Sequence, residues 1–224
     1  MKLKSFGCSF ILGEDLNDFY RDESTATCKP SLKTYPALLA QYLEYDYECY
    51  AEGGSGNLRI LKNILNQVNC EPSFFVIQWS YIDRFDYIDL YDITMFNMPI
   101  DTWTTILPQH DTGLAQEYYK KYHSEYKDKI SSLLYINTAL QALKQHNHKF
   151  LMFYVDRLLL CDKWHTDMAI QYLQSQIKDH LKDFYGMPWH EWCLHKNFPI
   201  GPYNHPLEEA HQVTANKIID WGWV

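Results

Sequence analysis

The sequence predicts an α/β protein of three layers, α/β/α. A five-stranded parallel sheet in flavodoxin-like order, 2-1-3-4-5, lies between two layers of helices. Three observations carry this. Strand-like apolar runs alternate with helical stripes along the chain. Phe74-Phe75-Val76-Ile77 is apolar without alternation, as a central parallel strand covered on both faces should be. The first strand and its turn stand at the chain start, which suits that order with right-handed crossovers.

Strand one is expected at Leu3–Cys8. A polar stretch, 17–31, follows it. A helix over Thr34–Glu44 has Thr34 as N-cap and Pro36 in its first turn. Its stripe is Tyr35, Leu38, Leu39, Tyr42 and Leu43. Strand two, about 46–51, runs into Gly53-Gly54-Ser55-Gly56-Asn57. A helix leaves that turn with Leu58, Leu61, Ile64, Leu65 and Val68 inward. Strand three is Ser73–Trp79. Residues 81–115 read as an aromatic-rich insertion holding Tyr81, Phe85, Tyr87, Tyr91, Phe96 and Trp103, a lid, a stacking platform or a satellite core. One helix or a pair covers 114–145, strand four is Phe150–Val155, and a helix covers 165–184. A short fifth strand is expected near Trp192–Leu194, and the last helix at Pro206–Trp221.

At 224 residues the chain is long enough for one sizeable core and short for two, so one domain over 1–224 is expected. The net charge of −8 leaves no basic excess for phosphates and argues against general nucleic-acid binding. No apolar stretch approaches the length of a membrane span, so no membrane partner is expected. Gly7, Glu14 and Asp15 interrupt any secretory leader, which predicts a cytoplasmic protein. The six cysteines lack CxxC spacing and read as free thiols. The histidines at 180, 190, 195, 205 and 211 show no local metal-ligand spacing. No metal and no cofactor is implied.

In a doubly wound sheet, ligands bind beyond the carboxyl ends of the strands near the switch point between strands one and three. Ser9, Gly54 and Ser80 all fall at such ends. A serine hydroxyl needs a base to become a nucleophile, and His205, held just before Pro206 at a helix start, is the best-placed candidate. An acyl-transfer intermediate also needs oxyanion donors. The backbone N–H groups of Ser9 and Gly54 could serve, with the Asn57 side chain as a third and the helix dipole behind the turn adding to them. His211 reads as structural or as a contact near the site. Asp83 and Arg84, after strand three, could touch substrate or form a surface ion pair.

Phe6-Gly7-Cys8-Ser9-Phe10, Tyr35-Pro36-Ala37-Leu38-Leu39-Ala40, Gly54-Ser55-Gly56-Asn57 and His205-Pro206 through His211 resemble the ordered blocks of the SGNH (GDSL-like) hydrolase superfamily. They look closest to its uncharacterised phage and marine microbial members. The resemblance implies a serine esterase with Ser9 as nucleophile and His205 as base. Its expected substrate is a small-molecule or carbohydrate ester, such as an O-acetyl group on a sugar. It implies Ser9 and Gly54 N–H groups as oxyanion donors.

Two positions depart from the family pattern. After strand three the chain reads Gln78-Trp79-Ser80-Tyr81, without the usual asparagine, so Asn57, Gln78 or Ser80 is expected to substitute. Three residues before His205, where the family has its acid, stands Pro202. A backbone carbonyl or a distant carboxylate such as Asp156 would then orient the imidazole. Two rival readings follow: a non-catalytic binding protein retaining the fold, and a thioesterase or transacylase.

Overall fold

The computed structural model describes residues 1–22, 27–88 and 103–224. Tyr91, Phe96 and the middle of the aromatic segment lie outside the described residues. The central sheet contains β1 (Lys2–Phe6), β4 (Asp46–Cys49), β5 (Phe74–Trp79), β8 (Lys149–Tyr154) and β9 (Leu181–Lys182) in the order β4-β1-β5-β8-β9. All four pairings are parallel. By rank along the chain this is 2-1-3-4-5, as the sequence predicts.

Alternation along the central strands distributes the core between two faces. Leu3, Phe74, Val76, Leu151 and Phe153 point to one side. There they pack with α1 (Ser9–Leu12), α2 (Tyr35–Tyr42), α7 (Trp189–His195) and α8 (Glu208–Asp220). Phe6, Phe75, Ile77, Trp79, Met152 and Tyr154 point to the other, against α3 (Asn57–Leu65), α5 (Glu125–Gln145) and α6 (Met168–Ile177). Every residue of β5 is buried. That agrees with the apolar run Phe74-Phe75-Val76-Ile77 that makes up most of it.

The fifth strand is a correction. Residues 192–194 lie inside α7, and the edge strand is the two-residue β9. Trp189, Trp192 and Cys193 are all fully buried at helical spacing, i, i+3 and i+4, which is why the segment coils. Trp189 also donates its indole N–H to Thr214 Oγ1 at 2.8 Å, tying α7 to α8. The helix expected at 165–184 is shorter for a related reason. Asp167 caps its first turn by accepting the Ile170 N–H, and the chain leaves the helix in time to form β9.

Two antiparallel ribbons stand outside the sheet. The polar stretch contains β2 (Tyr20–Asp22) paired with β3 (Thr27–Lys29). Within the aromatic segment, β6 (Phe85–Ile88) pairs with β7 (Trp103–Ile106), and α4 (Gly113–Lys121) follows. Phe85 stacks on Tyr118 at 4.1 Å, and Ile106 and Ala115 complete a small satellite core. No helix among the described residues is long and apolar enough to cross a membrane.

Candidate active site

Ser9 is the first residue of α1, one turn of helix that begins directly after β1. The turn stops at Gly13, whose φ of +83° is a conformation that favours glycine. The chain then doubles back, and Asp15, itself at φ +73°, comes to lie beneath the loop before α8. That loop, 201–205, closes on itself through Gly201 N–H to His205 O at 2.8 Å and Asn204 N–H to Gly201 O at 3.0 Å. It wraps so closely around Asp15 that a Cβ at Gly201 would stand 2.5 Å from Asp15 Oδ2, so only glycine fits.

The result is a hydrogen-bonded chain of three side chains. Ser9 Oγ lies 2.9 Å from His205 Nε2, and His205 Nδ1 lies 3.0 Å from Asp15 Oδ2. The carboxylate oxygen can only accept, and it also takes the Tyr203 N–H at 3.0 Å. Nδ1 therefore carries the imidazole proton, and Nε2 is left with the lone pair that receives the serine hydroxyl. All three side chains are buried or nearly so. The Phe10 ring meets His205 edge-on at 5.3 Å and stacks on His190 at 4.9 Å, which limits how far the imidazole can swing.

Asp15 was not among the residues expected here, and Asp156 does not do the work suggested for it. The Asp156 carboxylate accepts N–H groups of Ile82 at 3.1 Å and Leu158 at 2.9 Å, capping a turn of 3-10 helix after β8. His211 is structural. Its Nδ1 accepts the Tyr35 N–H at 3.1 Å, and complete burial pushes its pKa down to about 3, so it stays neutral. His190 accepts or donates at Nδ1 with the Tyr81 hydroxyl at 2.9 Å, and burial lowers its pKa too.

The expected oxyanion residues separate into two groups. Gly54, at φ +76°, lines the same cleft as Ser9. Its N–H and that of Ser9 have no acceptor among the described residues. Asn57 and Ser80, by contrast, bind each other. Asn57 donates to Ser80 O at 3.3 Å and to Ser132 Oγ at 3.1 Å, and its carbonyl accepts the Ser80 N–H at 2.8 Å. Both amide hydrogens of Asn57 are thus committed to joining α3, β5 and α5. Neither Asn57 nor Ser80 lines the cleft at Ser9.

The N-terminus of α3 is likewise occupied. Asp86, reaching over from β6, accepts the N–H groups of Gly56 and Arg59, each at 2.9 Å, and the Thr105 hydroxyl at 2.6 Å. Burial raises the pKa of this carboxyl. The helix dipole is therefore answered by a side chain of the aromatic segment.

The cleft has two lobes that share Ser9, Arg84, Leu107, Gln109 and Tyr203. One, of about 320 Å³, is closed by Tyr81, Asp83, Asn204 and His205. The other, of about 590 Å³, is closed by Glu14, Phe19, Arg21, Gly54 and His110. Tyr203, 77% exposed, stands at the mouth of both. Together these are a polarised hydroxyl, two N–H donors on the same cleft without an acceptor among the described residues, and room for a small ester.

No protein-family model and no curated protein matches the chain. Solved structures do. The chain is similar to a carbohydrate esterase whose active site displays divergent catalytic and non-catalytic binding functions (TM-score 0.54, 15% identity, covering 98% of this chain and 67% of that one). It is similar to the psychrotrophic esterase EstA from Pseudoalteromonas sp., in a structure inhibited by monoethylphosphonate (TM-score 0.52, 8% identity, 98% and 94% covered). It is also similar to an acetyl xylan esterase from the rumen bacterium Butyrivibrio proteoclasticus (TM-score 0.52, 16% identity, all of this chain and 65% of that one). Lipolytic proteins of the G-D-S-L family are among the matches too. At these identities the likeness is one of fold: a parallel sheet between two helical layers, shared with these esterases.

Proposed function

We propose that residues 1–224 form a single SGNH-like hydrolase domain, a serine esterase that removes a small acyl group, an O-acetyl on a carbohydrate being the favoured case. The observation that carries this reading is the chain Ser9–His205–Asp15, with 2.9 Å and 3.0 Å between successive partners. Ser9 Oγ attacks the ester carbonyl while its proton passes to His205 Nε2. The N–H groups of Ser9 and Gly54 hold the tetrahedral oxyanion. The imidazolium, stabilised by Asp15, protonates the departing alcohol. Water then attacks the acyl-serine, giving up a proton to His205, and the imidazolium passes that proton to Ser9 Oγ as the acyl bond breaks and the acid leaves.

The reading fits the esterase fold of the neighbours, and Asp15 fills the place left vacant by Pro202. Acetate release from an acetylated xylo-oligosaccharide tests it. Wild type should release acetate, and Ser9→Ala should be slower by about 10⁴-fold or more. No release by the wild type, or equal release by both, sinks the reading. Carbohydrate binding without turnover in both proteins would favour a non-catalytic binding role. Faster turnover of a thioester than of the matching ester would favour a thioesterase.

A further inference from the structure

Three arginines stand on or near the cleft, and two of them are neutralised. Arg21 pairs with Glu14. Arg59 pairs with Glu52 and also donates to Trp103 O at 3.1 Å. Arg84 is different. It lines both lobes of the cleft alongside Ser9, and among the described residues it has no carboxylate within ion-pair distance. One of its terminal nitrogens donates to Ser55 O at 3.1 Å, which fixes the plane of the guanidinium. The guanidinium itself lies over the Tyr81 ring, with Cζ 5.4 Å from the centroid. Its Nε is buried without a hydrogen-bond partner among the described residues.

The nearby carboxylates have other commitments. Asp15 serves His205 and Tyr203, and Glu14 serves Arg21. Asp83, next in sequence, has its pKa raised by burial and by Asp156, against a smaller lowering by Arg84, and lies beyond ion-pair distance of the guanidinium. A guanidinium positioned by a backbone carbonyl and an aromatic ring, with no carboxylate at ion-pair distance among the described residues, keeps a charged donor available to a carboxylate in the cleft.

Resting on the esterase reading above, we propose that Arg84 selects for a carboxylate in the substrate, so that the preferred ester carries a negative charge close to the scissile bond. That carboxylate has two possible sources: a uronate sugar on the alcohol side, or a dicarboxylic acyl group such as succinyl. Arg84 borders both lobes, so both are within its range, and the substrate series distinguishes them.

The test compares each acid with its neutral counterpart. An O-acetylated uronate glycoside is set against its methyl ester, and a succinyl ester against the acetyl ester of the same alcohol. Turnover is measured with wild type, Arg84→Gln and Arg84→Lys. Binding of the same ligands is measured by calorimetry on Ser9→Ala and on Ser9→Ala/Arg84→Gln. For one of the two pairs, wild type should prefer the acid by about tenfold or more in kcat/KM, the scale of one charge-assisted pair. Arg84→Gln should bring that ratio close to one, with Arg84→Lys in between. Ser9→Ala should bind the acid about tenfold tighter, and the double variant should not.

The pair that responds identifies the source of the charge. Equal turnover of acid and neutral forms by wild type overturns this inference and leaves the esterase reading standing. Selective binding of the acid with no turnover of any ester does the reverse. Arg84→Lys retains a donor for Ser55 O and keeps the question answerable if Arg84→Gln fails to fold.

Discussion

Asp15→Asn removes one charge and little else. The backbone at this position has φ +73°, which asparagine accepts as readily as aspartate. The Tyr203 N–H, 3.0 Å from Oδ2, demands an acceptor there, so the amide oxygen takes that place and the amide nitrogen does not. His205 Nδ1–H then still meets an oxygen, and the productive tautomer survives. What disappears is the attraction between carboxylate and imidazolium. At the 3.0 Å separation and an effective dielectric of about 20, that attraction is about 5 kcal/mol. The two side chains are 9% and 4% exposed, so solvent screens little of it. The neutral hydrogen bond that remains offsets part of the loss. A net cost of about 3–4 kcal/mol lowers kcat/KM by about 10²–10³-fold.

Asp15→Ala also leaves the Tyr203 N–H unpaired and the imidazole unrestrained, and should cost about 10⁴-fold. Initial rates on 4-nitrophenyl acetate, beside thermal unfolding by circular dichroism, measure both variants. Asp15→Asn within twofold of wild type at unchanged Tm would refute Asp15 as the stabilising acid. Asp15→Asn as slow as Asp15→Ala would refute the tautomer argument.

Two further predictions concern the frame. His211 has a folded pKa of about 3, below the ordinary value near 6.5, so between those pH values the unfolded chain binds a proton that the folded one does not. That contribution is therefore fully present above pH 6.5 and is lost as pH falls, by about 2–3 kcal/mol at pH 4.5. Urea midpoints at pH 7 and 4.5 should fall apart more for wild type than for His211→Gln, and equal slopes would contradict it. Asp86→Ala leaves the Gly56 and Arg59 N–H groups uncapped at the start of α3, at a cost of about 2–3 kcal/mol by chemical denaturation. Because this cap secures the turn carrying Gly54, kcat should fall more than KM rises; an unchanged kcat would detach the turn from catalysis.

What the sequence made legible follows from how local each signal is. β5 announces itself because burial on both faces leaves Gln78 as its one polar position, after four apolar residues in a row. The two-residue β9 has no period to detect, while α7 presents the same apolar run a strand would. Ser9 and His205 carry their own context: a strand end with glycine, and a proline opening a helix. Asp15 carries none. It reaches His205 only because one turn of helix ends at Gly13 and the chain reverses. The available hint was the sequence Phe10-Ile11-Leu12-Gly13-Glu14-Asp15, four-residue helix, glycine stop, carboxylates. Asn57 misled in the opposite way. Its place in a glycine-rich turn suits a catalytic donor, but its distant partners, Ser80 and Ser132, are seen only in the fold.

The central claim is that Ser9 is a nucleophile activated through His205 by Asp15. Intact-mass measurement of the protein after treatment with a fluorophosphonate tests it directly. Wild type should gain one phosphonyl group, mapped by fragmentation to Ser9, with Asp15→Asn reacting more slowly and Ser9→Ala not at all. An unmodified wild type, or an adduct that persists in Ser9→Ala, would contradict the account.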